Sequence, residues 1–212
     1  MEFIDRYFPD LNPIQRSQFE QLPELYRTWN ARVNLISRQD IAQLELKHIL
    51  HSLAIAKAFT FVAGARILDL GTGGGFPGIP LAILLPDVHF TLIDGTGKKI
   101  AVVQTLIKTL SLTNAVAIHA RAEEMKQRHS FDFVVSRAVA SLPQLLRWSQ
   151  PLLSKTHRHA YPNGLIALKG GNLKPEIEAL PGKAHQYVEV FAVQDFFAEP
   201  VFEEKWIVYV QG

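Results

Sequence analysis

From Pro13 to Val33 the chain places Ile14, Phe19, Leu22, Leu25, Trp29 and Val33 at intervals of three to five residues, with polar positions between them. That spacing predicts a helix with one apolar face, on which Phe19 and Trp29 are core residues. A second stripe, Ile41, Leu44, Ile49, Leu53, Ala56 and Phe59, predicts another helical segment, and Ser37 ahead of it offers the hydroxyl of an N-cap. After Gly64 the pattern changes. β-prone runs near 66–70, 89–93, 115–119, 131–136 and 164–169 alternate with helical patterns near 78–86, 98–111 and 141–154. The alternation predicts an α/β fold, a mostly parallel sheet with helices on both faces. The last β-prone runs, Tyr187 to Val193 and Glu204 to Val210, have no long helical pattern between them, which predicts a closing antiparallel pair. Residues 1–62 are thus expected to form a helical cap and residues 63–212 the α/β domain, the two making one compact unit.

Composition narrows the class. At 212 residues the chain is long enough to bury a substantial core, and 48% hydrophobic content suits a globular protein. No apolar run approaches the ~18 residues of a membrane span, and Met1 to Asn12 lacks the basic-then-apolar order of a signal peptide, so a cytoplasmic protein is expected. The absence of cysteine excludes disulfides, thiolate metal sites and a cysteine nucleophile. The overall charge of +2 hides an asymmetry: Lys98 to Lys174 holds 12 Lys or Arg against three acids, a net of +9, while Pro175 to Gly212 holds two Lys against seven acids, a net of −5. A basic stretch of this kind fits either an ordinary solvated face or a polyanionic partner such as nucleic acid. Residues 1–62 balance seven against seven.

The densest chemistry lies where the first β-prone run ends in Asp69 and Leu70 and opens into Gly71, Thr72, Gly73, Gly74, Gly75, Phe76, Pro77 and Gly78. Glycines admit backbone conformations closed to other residues and let a ligand approach the backbone N–H groups. Gly73, Gly75 and Gly78 satisfy the spacing of a dinucleotide fingerprint, but counted from Gly71 its third position is Phe76, and Pro77 and Pro80 stiffen the helix start. Asp-Leu-Gly-Thr-Gly-Gly-Gly is closer to the acidic first motif of S-adenosylmethionine methyltransferases. Loop N–H groups suit that cofactor's carboxylate, an acid at the strand end suits its ammonium, and Asp94, ending the next run, is placed for the ribose. A nicotinamide site and a purely structural glycine turn remain alternatives.

Further segments resemble the RsmG (GidB) family, which methylates N7 of a guanine in 16S ribosomal RNA. They are Asn34-Leu35-Ile36-Ser37, His48-Ile49-Leu50, Ile67 to Pro80 with its Gly-Phe-Pro-Gly-Ile-Pro ending, and Asp94 with Gly97-Lys98-Lys99. Ala120-Arg121-Ala122-Glu123-Glu124, Ser136-Arg137-Ala138 and Ala167-Leu168-Lys169-Gly170 continue the likeness in the same order. It spans roughly Asn30 to Gly171. Two positions depart from the family pattern: His51 stands where an Asp is usual, and Gly95 where a Ser is usual.

The resemblance implies an S-adenosylmethionine-dependent, Rossmann-like methyltransferase fold with an N-terminal helical extension. It also implies that Gly71, Phe76, Asp94, Ala122, Glu123 and Arg137 bind the cofactor, with Arg137 at the reaction site. The expected partner is 16S ribosomal RNA or the small-subunit particle, the expected state a monomer with no membrane association. Guanine N7 carries a lone pair and no proton, so its methylation needs no general base, and neither the missing cysteine nor the absence of an Asn/Asp-Pro-Pro-Tyr motif conflicts with it. Lys169 is expected either at the rim of the same pocket or solvated at a turn. Arg121, Arg128, Lys98 and Lys99 fit phosphate contacts or solvated surface, and Asn34 and His48 fit RNA contact or bracing of the pocket. His48 and His51 share a helical face without a third ligand, so no metal site is expected. Another methyl acceptor, a nicotinamide-dependent oxidoreductase and a non-enzymatic RNA-binding module stand as the alternatives.

Overall fold

The computed structural model describes residues 1–37, 39–137 and 139–212. After a short helix α1, Glu2–Tyr7, the chain enters α2, Pro13–Asn30, through a reciprocal cap: the Asn12 side chain accepts the Gln15 N–H and the Gln15 side chain accepts the Asn12 N–H, both at 3.0 Å. Pro13 sits in the first turn, where a missing N–H costs nothing. Phe19, Leu22 and Tyr26 are fully buried, whereas Ile14 is 70% exposed. A step of five residues turns an α-helix about 140° past a full turn, so Ile14 leaves the face that Phe19 occupies.

The second stripe is not a plain α-helix. A 3-10 turn, Ile41–Gln43, leads into a π-helical stretch, Glu45–Leu50, and then α3, His51–Ala58. The five-residue step from Leu44 to Ile49 is the local signature: both are buried, and the wider π turn brings them to one side. Ser37 closes the turn ahead, its hydroxyl accepting the Asp40 N–H at 3.1 Å.

Among the described residues the sheet has seven strands: β1 Arg66–Leu70, β2 His89–Asp94, β3 Ala115–His119, β4 Phe133–Arg137, β5 Gly164–Gly170, β6 Val188–Ala192 and β7 Lys205–Gln211. Their order is β3-β2-β1-β4-β5-β7-β6, with β7 antiparallel to both of its neighbours and the pairs among β1 to β5 parallel. The connecting helices are α4 Gly78–Leu84, α5 Gly97–Thr109, α6 Leu142–Ser149 and α7 Lys174–Glu178. Helix α6 stops five residues short of the predicted 154: Gln150 still has helical dihedrals and bonds to the Leu146 carbonyl, but Pro151 has no N–H with which to continue the ladder.

Alternate residues of each strand feed two cores, as the two-residue strand period requires. Ile67, Phe90, Val135 and Ile166 face one side and join Phe19, Leu22, Leu50 and Leu53 of the helical segment, while Leu68, Val134, Leu165 and Val208 pack with Leu142, Leu145 and Leu146 of α6 on the other. The Gln15 amide also donates to the Ile83 and Leu84 carbonyls at 3.0 and 2.9 Å, so α2 closes the end of α4. The chain direction of assembly reverses between β1 and β4, and such a switch point opens a crevice beyond the strand ends. There the ladder stops at Asp69 and Val135, and the buried Ser136 hydroxyl takes over by donating to the Leu70 carbonyl at 2.8 Å.

Candidate functional site

The glycine loop sits at this crevice. Gly71, Gly73 and Gly75 have φ of +72°, +56° and +100°, a left-handed region in which a Cβ is strained. A Cβ on Gly71 would collide with the Val139 side chain, and one on Gly78 would meet Asp69 Oδ2 and Leu92 at 2.7 Å. Asp69 is fully enclosed under the loop. Its Oδ2 accepts the Thr72 hydroxyl at 2.6 Å and the Gly78 N–H at 2.8 Å, while Oδ1 has no partner among the described residues. Burial pushes its carboxyl up to about 7, against the opposing pull of those two bonds. An acid so enclosed shapes the loop, rather than standing open to a ligand ammonium. The helical cap holds the loop from above: the buried Tyr26 hydroxyl donates to the Gly74 carbonyl at 2.7 Å, and its ring stacks on Phe76 with centroids 4.8 Å apart.

Beside the loop, at the ends of β1 and β2, a cavity of about 260 Å³ is lined by Gly71, Asp94, Ala122, Glu123, Val139 and Trp148 among others. Asp94 ties this cavity to the glycine loop: Oδ2 accepts the Gly73 N–H at 2.9 Å and Oδ1 accepts the Thr96 N–H at 2.7 Å. Each oxygen keeps a further lone pair for a diol. At Gly95 an added Cβ would find Arg121 no closer than 3.6 Å, so the departure from Ser there leaves space rather than relieving a clash.

A second cavity, of about 600 Å³, opens at the ends of β4 and β5 against the helical cap, and Arg137, His48, His51, Lys169 and Glu176 stand on its walls. The Arg137 guanidinium lies 4.8 Å over the Phe76 ring, and its Nη2 meets His48 Nδ1 at 2.8 Å. Among the described residues no carboxylate is within ion-pair distance of it. Burial lowers its pKa to about 10, which leaves it charged at neutral pH. Burial, with Arg137 adding to it, holds His48 down at about 4 and His51 at about 3, so both imidazoles are neutral. A neutral His48 can accept the Arg137 proton donor at Nδ1, which puts its own N–H on Nε2, 3.9 Å from Asp40 Oδ2. Ser37 and Lys47 in turn hold Asp40 ionised by their hydrogen bonds.

Of the residues singled out from sequence, Gly71, Asp94, Ala122 and Glu123 share the first cavity. Phe76 and Arg137 do not line it: Phe76 is 2% exposed and serves as the platform under Arg137. Ala138 lies outside the described residues. Lys169 is at the rim of the Arg137 cavity, but paired, its Nζ 2.8 Å from Glu176 Oε2 and donating to the Ala140 carbonyl at 2.9 Å. Arg121 and Lys98 are exposed near the first cavity and beyond it, and Arg128 lines a neighbouring cleft with Arg147 and Trp148. Asn34 is exposed and His48 braces Arg137. Among the described residues no group of three or more His, Cys, Asp or Glu is arranged for a metal ion. Sequence reading did not select Tyr26 or Glu176. Tyr26 continues the stripe at four residues from Leu22 and seven from Phe19, so its burial was signalled; Glu176 had no local signal at all.

The family described as rRNA small subunit methyltransferase G matches residues 15–199. The chain belongs to this family, GidB. Its members include a ribosomal RNA small subunit methyltransferase G of Flavobacterium psychrophilum, 50% identical over 210 residues that cover 99% of this chain and 97% of the relative. The protein of the same name in Bacteroides thetaiotaomicron is 50% identical over 211 residues, covering all of both chains. The fold of this GidB member extends to distant solved structures. A SAM-dependent methyltransferase from Aquifex aeolicus superimposes with a TM-score of 0.55 at 15% identity, covering 82% of this chain and 98% of its own. Aeropyrum pernix fibrillarin with natively bound S-adenosyl-L-methionine gives 0.52 at 15% identity, covering 75% and 73%. The fold is therefore that of the SAM-dependent methyltransferases.

Proposed function

We propose that this protein transfers the methyl group of S-adenosylmethionine to N7 of a guanine in 16S ribosomal RNA. Family membership carries the reading, since the identity to small-subunit methyltransferases runs the length of the chain. The first cavity fits the cofactor: the left-handed Gly71 lines it without a Cβ, and Asp94 and the Ala122–Glu123 turn stand on its wall. Asp94 would accept the ribose hydroxyls, Ala122 and Glu123 would flank the adenine, and Gly71 and its neighbours would admit the amino-acid end. When bound, the cofactor supplies an electrophilic methyl on a sulfonium.

The protein's contribution is then position and charge. Guanine N7 needs no deprotonation, so no residue has to act as a base; the rate gain comes from holding N7 in line with the methyl. Arg137 donates to guanine O6, next to N7, from a guanidinium fixed by His48 and Phe76 and neutralised by no carboxylate among the described residues. Phe76 serves the site through Arg137. The helical cap, residues 1–62, and the domain, residues 63–212, are proposed to fold as one unit, a monomer acting in the cytoplasm on the RNA or the small-subunit particle. Their shared hydrophobic core supports the single unit, and none of the described helices is long and apolar enough to cross a membrane.

The test is transfer of labelled methyl from S-adenosylmethionine to ribosomal RNA lacking the modification, mapped by cleavage specific for N7-methylguanine. One labelled guanine is expected; label on another base or on protein alone overturns the proposal.

A further inference from the structure

A pocket that accepts guanine must meet both of its edges. O6 and N7 accept hydrogen bonds, whereas N1–H and the N2 amino group donate them, so a site with only cations reads half the base. The carboxylates on the Arg137 cavity, among the described residues, are Asp40 and Glu176, and its imidazoles are His48, which is taken by Arg137, and His51, whose Nε2 is enclosed away from the opening. Asp40 is committed within the cap, Oδ1 to Lys47 at 2.9 Å and Oδ2 to the Ser37 hydroxyl at 2.7 Å. Glu176 is held differently. Its Oε2 alone accepts the Leu142 N–H at 2.6 Å and forms the ion pair with Lys169 Nζ at 2.8 Å, and its Oε1 has no hydrogen-bond partner among the described residues.

We propose that Glu176 is the specificity-determining residue that reads the acceptor base, its free Oε1 accepting from guanine N1–H and N2–H while Arg137 donates to O6. The inference rests on the guanine-N7 reading above and deepens it. The arrangement grips the Watson–Crick edge and leaves N7, on the far side of O6, open to the methyl donor. It also excludes adenine, which has neither the N1 proton nor the N2 amino group and would leave both Oε1 and Arg137 without their partners. A site built to hydrogen-bond a group rejects the analogue that lacks it far more strongly than an apolar pocket can. The Leu142 N–H and the Lys169 ammonium, both on Oε2, keep the carboxylate from rotating, so the edge is presented before the base arrives.

Glu176→Gln is a directional test. The Leu142 N–H donates and the Lys169 ammonium is positive, so both select the amide oxygen of the glutamine and turn its NH2 to the place of Oε1, where it faces guanine's own donors. On RNA carrying guanosine at the target, kcat/KM is expected to fall about tenfold or more, with S-adenosylmethionine affinity by calorimetry unchanged. The decisive comparison replaces the target guanosine by inosine, which lacks only the N2 amino group. Wild type is expected to lose about tenfold on inosine, and Glu176→Gln to show little further loss. An inosine penalty of equal size in both proteins overturns the assignment, as does wild type showing none, a result that does not depend on the variant folding. Glu176→Asp, which keeps the charge but shortens the reach, is expected to retain part of the inosine discrimination. Absence of N7 methylation by wild type on guanosine would instead overturn the functional reading itself.

Discussion

A guanidinium taken out of water without a carboxylate partner keeps its charge available to a ligand. Arg137 is in that position: burial lowers it only to about 10, and its nearest polar partner is a neutral imidazole. Arg137→Ala is expected to cut kcat about 100-fold or more while leaving the melting temperature nearly unchanged, and Arg137→Lys to restore little because an ammonium cannot reproduce the planar fork. A wild-type single-turnover rate in either variant removes Arg137 from the site. His48 acts through Arg137 and is a positioning residue. His48→Ala frees the guanidinium to rotate and is expected to lower kcat about tenfold with KM for the cofactor unchanged, whereas His48→Gln, which keeps an acceptor, recovers part of it. Equal losses in both variants would reduce His48 to packing.

At the scale of elements, the glycine loop is fixed between a strand-end acid below and a helix tyrosine above. Tyr26→Phe deletes only the bond to the Gly74 carbonyl and is expected to cost about 1–2 kcal/mol in urea unfolding, together with weaker cofactor binding by calorimetry. Gly78→Ala places a methyl against Asp69 Oδ2 and Leu92, and is expected to cost more, about 1–3 kcal/mol, because both neighbours are buried. A Gly78→Ala protein as stable as wild type would mean that the loop yields easily. These contacts also mark what sequence can and cannot convey. The strands, the α5 helix and the antiparallel close of the sheet were legible because each rests on local periodicity. So was Asp94, whose place follows from the strand that carries it. The π turn left a trace in the five-residue step from Leu44 to Ile49, which reads as helix until backbone pairing is seen. The Lys169–Glu176 pair left none: β5 and α7 set it, and the N–H that completes it comes from Leu142, 34 residues away.

Across the whole molecule, the cap and the sheet meet over groups that titrate in opposite senses, and this shapes the pH dependence of stability. His51, half-buried on the cavity wall with Nε2 enclosed and unpartnered, titrates at about 3 in the fold against an ordinary 6.5. The unfolded chain therefore binds the extra proton between these values, and the stability tied to a neutral His51 is complete above pH 6.5 and lost as pH falls toward 3. His48 adds a slope of the same sign between 6.5 and about 4. Asp69 opposes both: raised to about 7, it makes the fold less stable as pH rises from about 4 to 7. The total curve of the wild type is then a partial cancellation, and only a difference isolates one group. His51→Gln removes the titration and keeps a polar side chain of similar size. Its stability relative to wild type is expected to rise as pH is lowered from 6.5 to 5, by at most about 1.4 kcal/mol per pH unit, and to be constant between pH 7 and 8. Urea unfolding of both proteins at pH 5, 6, 7 and 8 measures this directly. Parallel curves throughout would mean that the imidazole titrates in the fold as it does in the unfolded chain, and divergence of the opposite sign that it has found an acceptor, whereas His51→Gln gaining relative stability on the acid side alone fixes it as a neutral member of the cavity wall facing Arg137.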